Sequence, residues 1–259
     1  MSGMPETGKM NKKWRVIEFS ENDAFMNMAI DEAISESVAS GNSPPTIRFY
    51  GWHPSAVSIG YFQSLEKEVD IKNCELEGVD VVRRRTGGGA VYHDNYGEIT
   101  YSVIAKESLF PKDIIASYKE ICGWIIDSLS IMGIKSEFKP INDITASSKK
   151  ISGNAQTRRG GVLLQHGTVL YGVDVERMFS VLKVSDEKIK DKMIANVKER
   201  VTSVKHHVNI SKEDVYHALL DGFTRGKEFD LGSLSEKELE RASRLREKRY
   251  LSKEWNFAR

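Results

Sequence analysis

The stretch Val82–Asp94, VRRRTGGGAVYHD, is the most informative pattern in the chain of 259 residues. Three successive glycines cost backbone entropy, and they are typical of a turn where a ligand approaches the main chain or where φ is positive. Successive amides in such a turn can bind an anion, and Arg83 and Arg84 just before it can make bidentate contacts to a phosphate or carboxylate. The alternative is a glycine-rich hairpin beside solvated arginines. The run leads into AVYHD, a predicted strand, whereas Walker and Rossmann glycine motifs open a helix.

Strands and helices interleave on both sides of this stretch. Alternating apolar residues and β-branched runs predict strands, and these cover residues 14–19, 46–52, 56–62, 79–84, 98–105, 150–152 and 162–171. Apolar residues at helical spacing predict helices at about Asp23–Ser40, ended by Gly41, and at Asp113–Met132, ended by Gly133. Ser211-x-x-Asp214 and Ser235-x-x-Glu238 are typical of helix N-termini, so the C-terminal third is predicted to be mostly helical. The class indicated is α+β.

The composition excludes several classes of protein. Hydrophobic residues make up 40% and charged residues 29%, which is ordinary for a globular chain. The net charge of +1 argues against binding nucleic acid by bulk charge. No apolar run reaches the ~18 residues of a membrane helix, and two cysteines are too few for a disulfide framework. We expect a cytoplasmic protein with a disordered polar tail at residues 1–13, no secretory signal, and one domain over 14–259.

Two further polar clusters follow the glycine run. Asn142-Asp143 lies shortly before Lys150-Ile151-Ser152-Gly153-Asn154-Ala155, where a lysine on a short strand precedes glycine and small residues. Such a lysine suits a ligand that comes close to the backbone, and the alternative is a solvated lysine beside Lys149. His166-Gly167-Thr168 places an imidazole within an apolar run, where a histidine is more often a hydrogen-bonded core residue.

Together, these motifs resemble the lipoate–protein ligase family of the biotin/lipoate ligase superfamily. The family pattern is Arg-Arg-x-Ser/Thr-Gly-Gly-Gly-x-Val-x-x-Asp, then Asn-Asp, Lys-Ile/Val-Ser/Ala-Gly-x-Ala and His-Gly-Thr, and the chain carries all four in that order. The resemblance covers nearly all of the chain after the N-terminal tail. It implies a mixed, largely antiparallel sheet flanked by helices, as in the class II synthetase-like catalytic domain of that superfamily.

The resemblance also implies an activity. Such a ligase activates lipoate, or octanoate, with ATP and Mg²⁺ to an acyl-adenylate, and then acylates a lysine of a lipoyl domain or a glycine-cleavage H protein. Lys150 becomes the catalytic residue, because it would lie between two anions that must meet. The remaining implied roles are adenylate binding by Arg84, Gly89, Ala90, Val91, Tyr92, Asn142 and Lys150, lipoate binding by Arg84, Thr86, Gly88, His93, Lys150 and His166, and metal binding by Asp143.

Three rival activities remain open. Octanoyltransferases and lipoyl amidotransferases of the same superfamily move the acyl group without ATP through an exposed cysteine thioester. The cysteine positions of those enzymes are held here by Asn142 and by the cysteine-free segment 181–185, whereas Cys122 is predicted to be core and Cys74 to lie in a charged turn. A biotin ligase would interleave arginines with its glycines. A non-catalytic protein that binds lipoate or lipoyl domains usually lacks the lysine.

Two expectations concern parts beyond the motifs. Many lipoate ligases have an accessory C-terminal domain, and the resemblance ends with the catalytic part, so a small accessory subunit is expected to replace that domain. The lysine-rich segment Lys183–Arg200 is expected to be a loop that closes over the site, with a solvated helical face as the alternative.

Overall fold

The computed structural model describes residues 13–172, 174–183 and 187–259, and for 187–192 it describes the backbone alone. The strands are β1 Trp14–Asn22, β2 Thr46–Trp52, β3 Ala56–Ile59, β4 Asp80–Arg83, β5 Val91–His93, β6 Glu98–Lys106, β7 Ser136–Lys139, β8 Asp143–Ala146, β9 Lys149–Arg159, β10 Val162–Leu170 and β11 Phe229–Gly232. The α-helices are α1 Ala24–Ala39, α2 Leu65–Glu68, α3 Ile71–Leu76, α4 Ile114–Ile131, α5 Val175–Val181, α6 Glu187–Arg200, α7 Lys212–Thr224, α8 Glu236–Leu245 and α9 Lys253–Asn256.

Most strands join one large sheet in the order β11-β1-β2-β6-β10-β9-β8-β7. In this sheet β1 runs parallel to β11 and β2, and every other neighbouring pair is antiparallel. A smaller sheet has the order β4-β3-β5. The predicted α+β class with a mixed, largely antiparallel sheet flanked by helices is therefore confirmed.

Helices cover both faces of the large sheet. On β2, Phe49 packs into the core that contains α4 and α7, whereas the next residue, Tyr50, packs into the core that contains α1 and α8. Successive side chains of a strand point to opposite faces. A strand that is covered on both faces therefore buries nearly every side chain, and its polar side chains need hydrogen-bond partners within the protein. All of β2 is buried.

The N-terminal capping signals form as predicted. Ser211 and Ser235 each begin a helix with a reciprocal capping box, to Asp214 and Glu238 respectively. Each cap satisfies amides that would otherwise lack a partner in the first helical turn. Gly41 (φ 79°) and Gly133 (φ 76°) follow α1 and α4 in the left-handed region, as the sequence predicts for their C-termini.

The predicted elements differ from the structure where polar residues dominate a strand. β9 continues to Arg159 rather than ending near Ser152, and it is preceded by β7 and β8, for which no strand was predicted. Much of the lysine-rich segment 183–200 is the helix α6, so the predicted loop is wrong there. The predicted tail, apart from its last residue, Lys13, lies outside the described residues. Among the helices described, none is long and apolar enough to cross a membrane.

Candidate active site

A cavity of about 370 Å³ lies where the glycine run, the strands β9 and β10 and the helix α6 meet. Most residues proposed for the site from the sequence line it: Arg84, Gly88, Gly89, Ala90, Val91, Tyr92, His93, Asn142, Lys150 and His166. Thr86 and Asp143 do not line it; Thr86 lies behind His166, and Asp143 pairs with Lys150. The four motifs thus converge on one cavity, although they are separated in sequence.

The glycine run approaches its neighbouring strand too closely for side chains. A Cβ on Gly60 would lie 2.0 Å from the carbonyl oxygen of Gly88, and Gly88 itself has φ 97°. Both positions therefore require glycine, one for space and one for conformation. Among the contacts described, no amide of Gly87–Ala90 donates to a protein acceptor, so this backbone can offer donors to a ligand.

Each arginine before the glycines is engaged by the protein. Arg84 is buried, and all its N–H groups are used, donating to Thr86 Oγ1, to the Ser58 carbonyl and hydroxyl, and to the carbonyls of Gly87 and Gly89. Burial lowers the pKa of Arg84 to about 10, so it stays charged at neutral pH. The predicted contact of Arg84 with an anion stays a prediction, because in this structure its guanidinium instead fixes the shape of the loop.

The flanking arginines anchor more distant segments. Arg83 donates to carbonyls that include those of Gln63, at 2.6 Å, and Asn256, at 2.8 Å. Arg85 pairs with Glu32 of α1 at 2.6 Å. These contacts hold the loop between α1 and the C-terminal segment rather than facing the cavity.

Lys150 lines the cavity with a positively charged, partly exposed side chain. It lies at the start of β9, its carbonyl accepts the amide of Thr202 at 2.8 Å, and its Nζ lies 2.7 Å from Asp143 Oδ1. Gly153 leaves room for it, because a Cβ there would lie 2.8 Å from Lys150 Cε and Nζ. The glycine that follows the lysine in the motif therefore makes space for the lysine side chain itself.

Asn142 and Asn154 stabilise the cavity wall beside Lys150 through reciprocal hydrogen bonds. Asn154 Nδ2 donates to the Asn142 carbonyl at 2.8 Å, and Asn142 Nδ2 donates to the Asn154 carbonyl. Tyr101 donates its hydroxyl to Asn154 Oδ1 at 2.7 Å. With its amide engaged in this way, Asn142 shapes the wall beside Lys150.

The metal role of Asp143 has weak support in the geometry. Its carboxylate is paired with Lys150, and among the described residues no three His, Cys, Asp or Glu side chains lie together as a metal site. Mg²⁺ is usually held by one or two carboxylates together with substrate phosphates, and the one carboxylate here is engaged by a lysine. The side chains present therefore do not fit a resident Mg²⁺, and the metal role of Asp143 stays a prediction.

His166 is held by two buried partners. Its Nε2 lies 2.7 Å from Thr86 Oγ1, and its Nδ1 lies 3.7 Å from Asp31 Oδ2. Burial lowers the pKa of His166 and outweighs the opposing effect of Asp31, so the ring is neutral at pH 7. Asp31 also pairs with Arg48 at 2.9 Å. The histidine is both a satisfied core residue and part of the cavity wall.

His93 is likewise fixed on both ring nitrogens. Its Nε2 lies 2.8 Å from Ser58 Oγ, and its Nδ1 lies 2.8 Å from Glu98 Oε1. Trp52 stacks on the ring with centroids 4.0 Å apart. Both His93 and its hydrogen-bond partner Ser58 line the cavity.

Both cysteines lie away from the cavity. Cys122 on α4 is buried in the core, as predicted, but Cys74 is also buried, in α3, rather than lying in a charged turn. Burial raises the pKa of each thiol to about 12. The Cys74 prediction failed because one apolar face of a short charged helix packs against the core of the smaller sheet.

Other cavity residues were missed by sequence reasoning, although some carried a signal. They include Met28, Tyr50, Trp52, Ser58, Glu98, Thr100, Met178, Val197 and Val201. A single polar residue inside a predicted apolar strand, such as Ser58 in AVSIGYF, was the available signal for that position. Val197 belongs to the lysine-rich segment and Val201 directly follows it, so part of that segment does border the site.

Several curated relatives match nearly the whole chain. Octanoyltransferase LipM of Macrococcus caseolyticus is 34% identical, covering 95% of this chain and 99% of the relative. Octanoyltransferase LipM of Clostridioides difficile is also 34% identical, with the same coverage. These names contradict the prediction of an ATP-dependent, adenylate-forming ligase, and that prediction was wrong. The adenylate roles given to the cavity residues lose their basis with it.

Solved structures and a family model agree on the domain type. The bi-partite lipoate protein ligase from Thermoplasma acidophilum superposes with a TM-score of 0.86 at 35% identity, covering 95% of this chain and 96% of the other. A lipoate-protein ligase A solved with ATP superposes with a TM-score of 0.82 at 32% identity, covering 95% and 98%. The model of the lipoyl protein ligase A/B catalytic domain matches residues 23–224. The chain belongs to the lipoyl protein ligase A/B catalytic-domain family.

Proposed function

We propose that this chain is an acyltransferase that moves an octanoyl or lipoyl group from an activated donor to the lysine ε-amine of a lipoyl domain, without ATP. The observation that carries the proposal is the full-length similarity to proteins named octanoyltransferase. The names of the structural relatives, which refer to lipoate and to an E2 lipoyl domain, favour the same acyl class and acceptor.

The cavity suits a medium-length acyl chain that ends in a reactive carbonyl. Its volume of about 370 Å³ lies within the usual range of small-molecule sites. Apolar side chains from separate elements line part of the wall, namely Met28, Leu170, Met178, Val197 and Val201. Burial of a saturated chain against such residues is favourable by about 0.8 kcal/mol per methylene.

Lys150 supplies positive charge where an acyl carbonyl would react. Attack on a thioester or ester carbonyl places negative charge on its oxygen, and a fixed cation stabilises that charge as it develops. Asp143 holds Nζ at 2.7 Å and so fixes the position of the charge. The Gly87–Ala90 amides provide further donors at the same cavity.

The donor is proposed to be an acyl thioester on a carrier protein, because such a donor is already activated and needs no nucleotide. The accessory subunit expected from the sequence was tied to adenylate formation, and it is not part of this proposal. Among the structural relatives, the Thermoplasma ligase is bi-partite.

The test is transfer from octanoyl-acyl carrier protein to a purified lipoyl domain with no nucleotide present, followed by mass spectrometry of the acceptor. Lys150→Met is expected to lower the rate by about 10²–10³-fold, by analogy with loss of an oxyanion donor. Lys149→Met is the matched control, because Lys149 is adjacent but does not line the cavity. Binding of the lipoyl domain without any transfer would instead favour a non-catalytic binding protein.

A further inference from the structure

One wall of the cavity carries a serine, a histidine and a carboxylate in hydrogen-bonded series. Ser58 Oγ lies 2.8 Å from His93 Nε2, and His93 Nδ1 lies 2.8 Å from Glu98 Oε1. All three line the cavity, and their exposed fractions are 2%, 5% and 2%. This is the order of nucleophile, base and orienting group that activates a hydroxyl for acyl transfer.

The series is rigid, because neighbouring elements fix each member. Ser58 on β3 pairs with Val91 of β5, two residues before His93, and Glu98 begins β6 of the other sheet. Trp52 stacks on the His93 ring at 15° between planes, and it donates its Nε1–H to Thr100 Oγ1 at 2.8 Å. Thr100 in turn donates to Glu98 Oε1 at 2.8 Å. A preorganised arrangement of this kind avoids reorganisation during reaction.

The hydrogen bonds also define where the protons lie. An ionised Glu98 can only accept, so His93 Nδ1 carries the ring proton and Nε2 accepts the Ser58 hydroxyl. Arg84 Nη1 donates to Ser58 Oγ at 3.1 Å. Its positive charge stabilises negative charge on that oxygen as the proton moves to His93.

Neither cysteine is placed to act as the nucleophile in this cavity. The chain has two, both buried outside the cavity, so neither thiol can accept an acyl group there. The related series Thr86, His166 and Asp31 is a weaker candidate, because its nitrogen-to-carboxylate distance is 3.7 Å and Thr86 does not line the cavity.

We propose that Ser58 is the nucleophile of this transferase and carries the acyl group as an ester. The inference rests on the proposed function. Ser58 Oγ attacks the thioester carbonyl, the C–S bond breaks, and the proton passes from Oγ through His93 Nε2 to the departing thiolate. The acceptor lysine amine then attacks the ester, the C–Oγ bond breaks, and a proton from the amine returns through His93 to Oγ.

The experiment incubates the full chain with octanoyl-acyl carrier protein and no acceptor, quenches in acid, and maps peptides by mass spectrometry. The expected result is an octanoyl ester on the peptide containing Ser58, which disappears when a lipoyl domain is added. Ser58→Ala is expected to abolish the adduct and lower transfer by at least ~10³-fold, as when a catalytic serine is removed elsewhere.

Two further variants separate chemistry from folding. Ser58→Cys keeps a nucleophile at the same atom and is expected to form a thioester adduct, released by neutral hydroxylamine, whereas a merely structural serine would give no adduct. Ser136→Ala is the matched control, because its buried hydroxyl lacks a hydrogen-bond partner among the residues described and lies outside the cavity.

The outcomes distinguish this inference from the proposed function. Transfer by the wild type with no acyl-Ser58 adduct, and with Ser58→Ala active within a few-fold, overturns the serine nucleophile and leaves the transferase standing. The absence of both adduct and transfer in the wild type overturns the proposed function and this inference with it.

Discussion

Gly153→Ala should slow acyl transfer by moving Lys150 while leaving the fold intact. The new Cβ would lie 2.8 Å from Lys150 Cε and Nζ, whereas ordinary contact begins at 3.4 Å, so the lysine tip must shift by about 0.6 Å or more. Those atoms are the far end of a flexible side chain, and Gly153 does not have a positive φ, so the backbone tolerates alanine. A misplacement approaching 1 Å at a reacting centre can cost ~10²-fold.

We therefore expect a loss of about 10–10²-fold in kcat for acyl transfer, smaller than for removal of the charge in Lys150→Met. The assay is the initial rate of acceptor acylation, measured together with thermal unfolding. Gly123→Ala is the control: nothing lies within 4 Å of its Cβ, and it sits inside α4, so it should keep full activity and gain ~0.5–1 kcal/mol of stability. Wild-type kinetics for Gly153→Ala, or a loss that merely follows unfolding, would refute the reasoning.

The other predictions concern groups around the cavity. Replacing Cys74 and Cys122 together with serine should keep the transfer rate and lower the free energy of unfolding by roughly 1–3 kcal/mol per buried hydroxyl, seen in urea titrations; loss of transfer in the folded variant would restore a cysteine mechanism. Gly60→Ala should displace the glycine loop, because its Cβ would lie 2.0 Å from a backbone carbonyl, and both Tm and transfer should fall; an unchanged Tm would contradict the packing described. Asp31→Asn should cost roughly 3–5 kcal/mol at pH 7, as for a broken buried ion pair. Burial raises the pKa of Asp31, but the nearby His166 ring and the Arg48 guanidinium outweigh it, and the pKa lies below 3.8. Because the folded-state pKa of Asp31 is depressed, its stabilisation is present above pH 3.8 and is lost as the pH falls through that folded-state pKa. At such low pH, wild type and variant should have the same free energy of unfolding in urea titrations. A difference that persists there would count against the ion pair.

The cavity residues could be predicted from the sequence because the motifs that contain them, such as the three successive glycines, are typical of few structures other than a ligand site. The glycine run, Lys150 and His166 are separated in sequence. Lys150 and His166 come together because β9 and β10 pair antiparallel, and the glycine run reaches them through Thr86, whose Oγ1 lies 2.7 Å from His166 Nε2. The N-terminal helix caps could also be predicted from the sequence, since Ser211 and Ser235 cap their helices through residues only three positions away.

The rest depended on tertiary contacts that a sequence does not display. The role of Arg84 in shaping the loop follows from carbonyls placed around it by the fold, and not from its neighbours in sequence. The burial of Cys74 depends on packing of a six-residue helix. The order Ser58, His93, Glu98 arises from the register of β3 with β5 and from the start of β6, so no spacing rule would find it.

The choice between ligase and transferase was the hardest property to predict from the sequence. A lysine that neutralises charge at an acyl group serves both reactions, so Lys150 alone does not separate them. The absence of a cysteine at the expected positions favoured a ligase, whereas the names of the full-length relatives favour a transferase.

The most direct test is one measurement of lipoyl-domain acylation by the purified wild-type chain, supplied with octanoyl-acyl carrier protein in nucleotide-free buffer. We expect the acceptor lysine to become octanoylated at a rate proportional to the concentration of this chain, with no change when ATP is added. An acceptor that stays unmodified under these conditions, and is acylated only from the free acid with Mg·ATP, would contradict it.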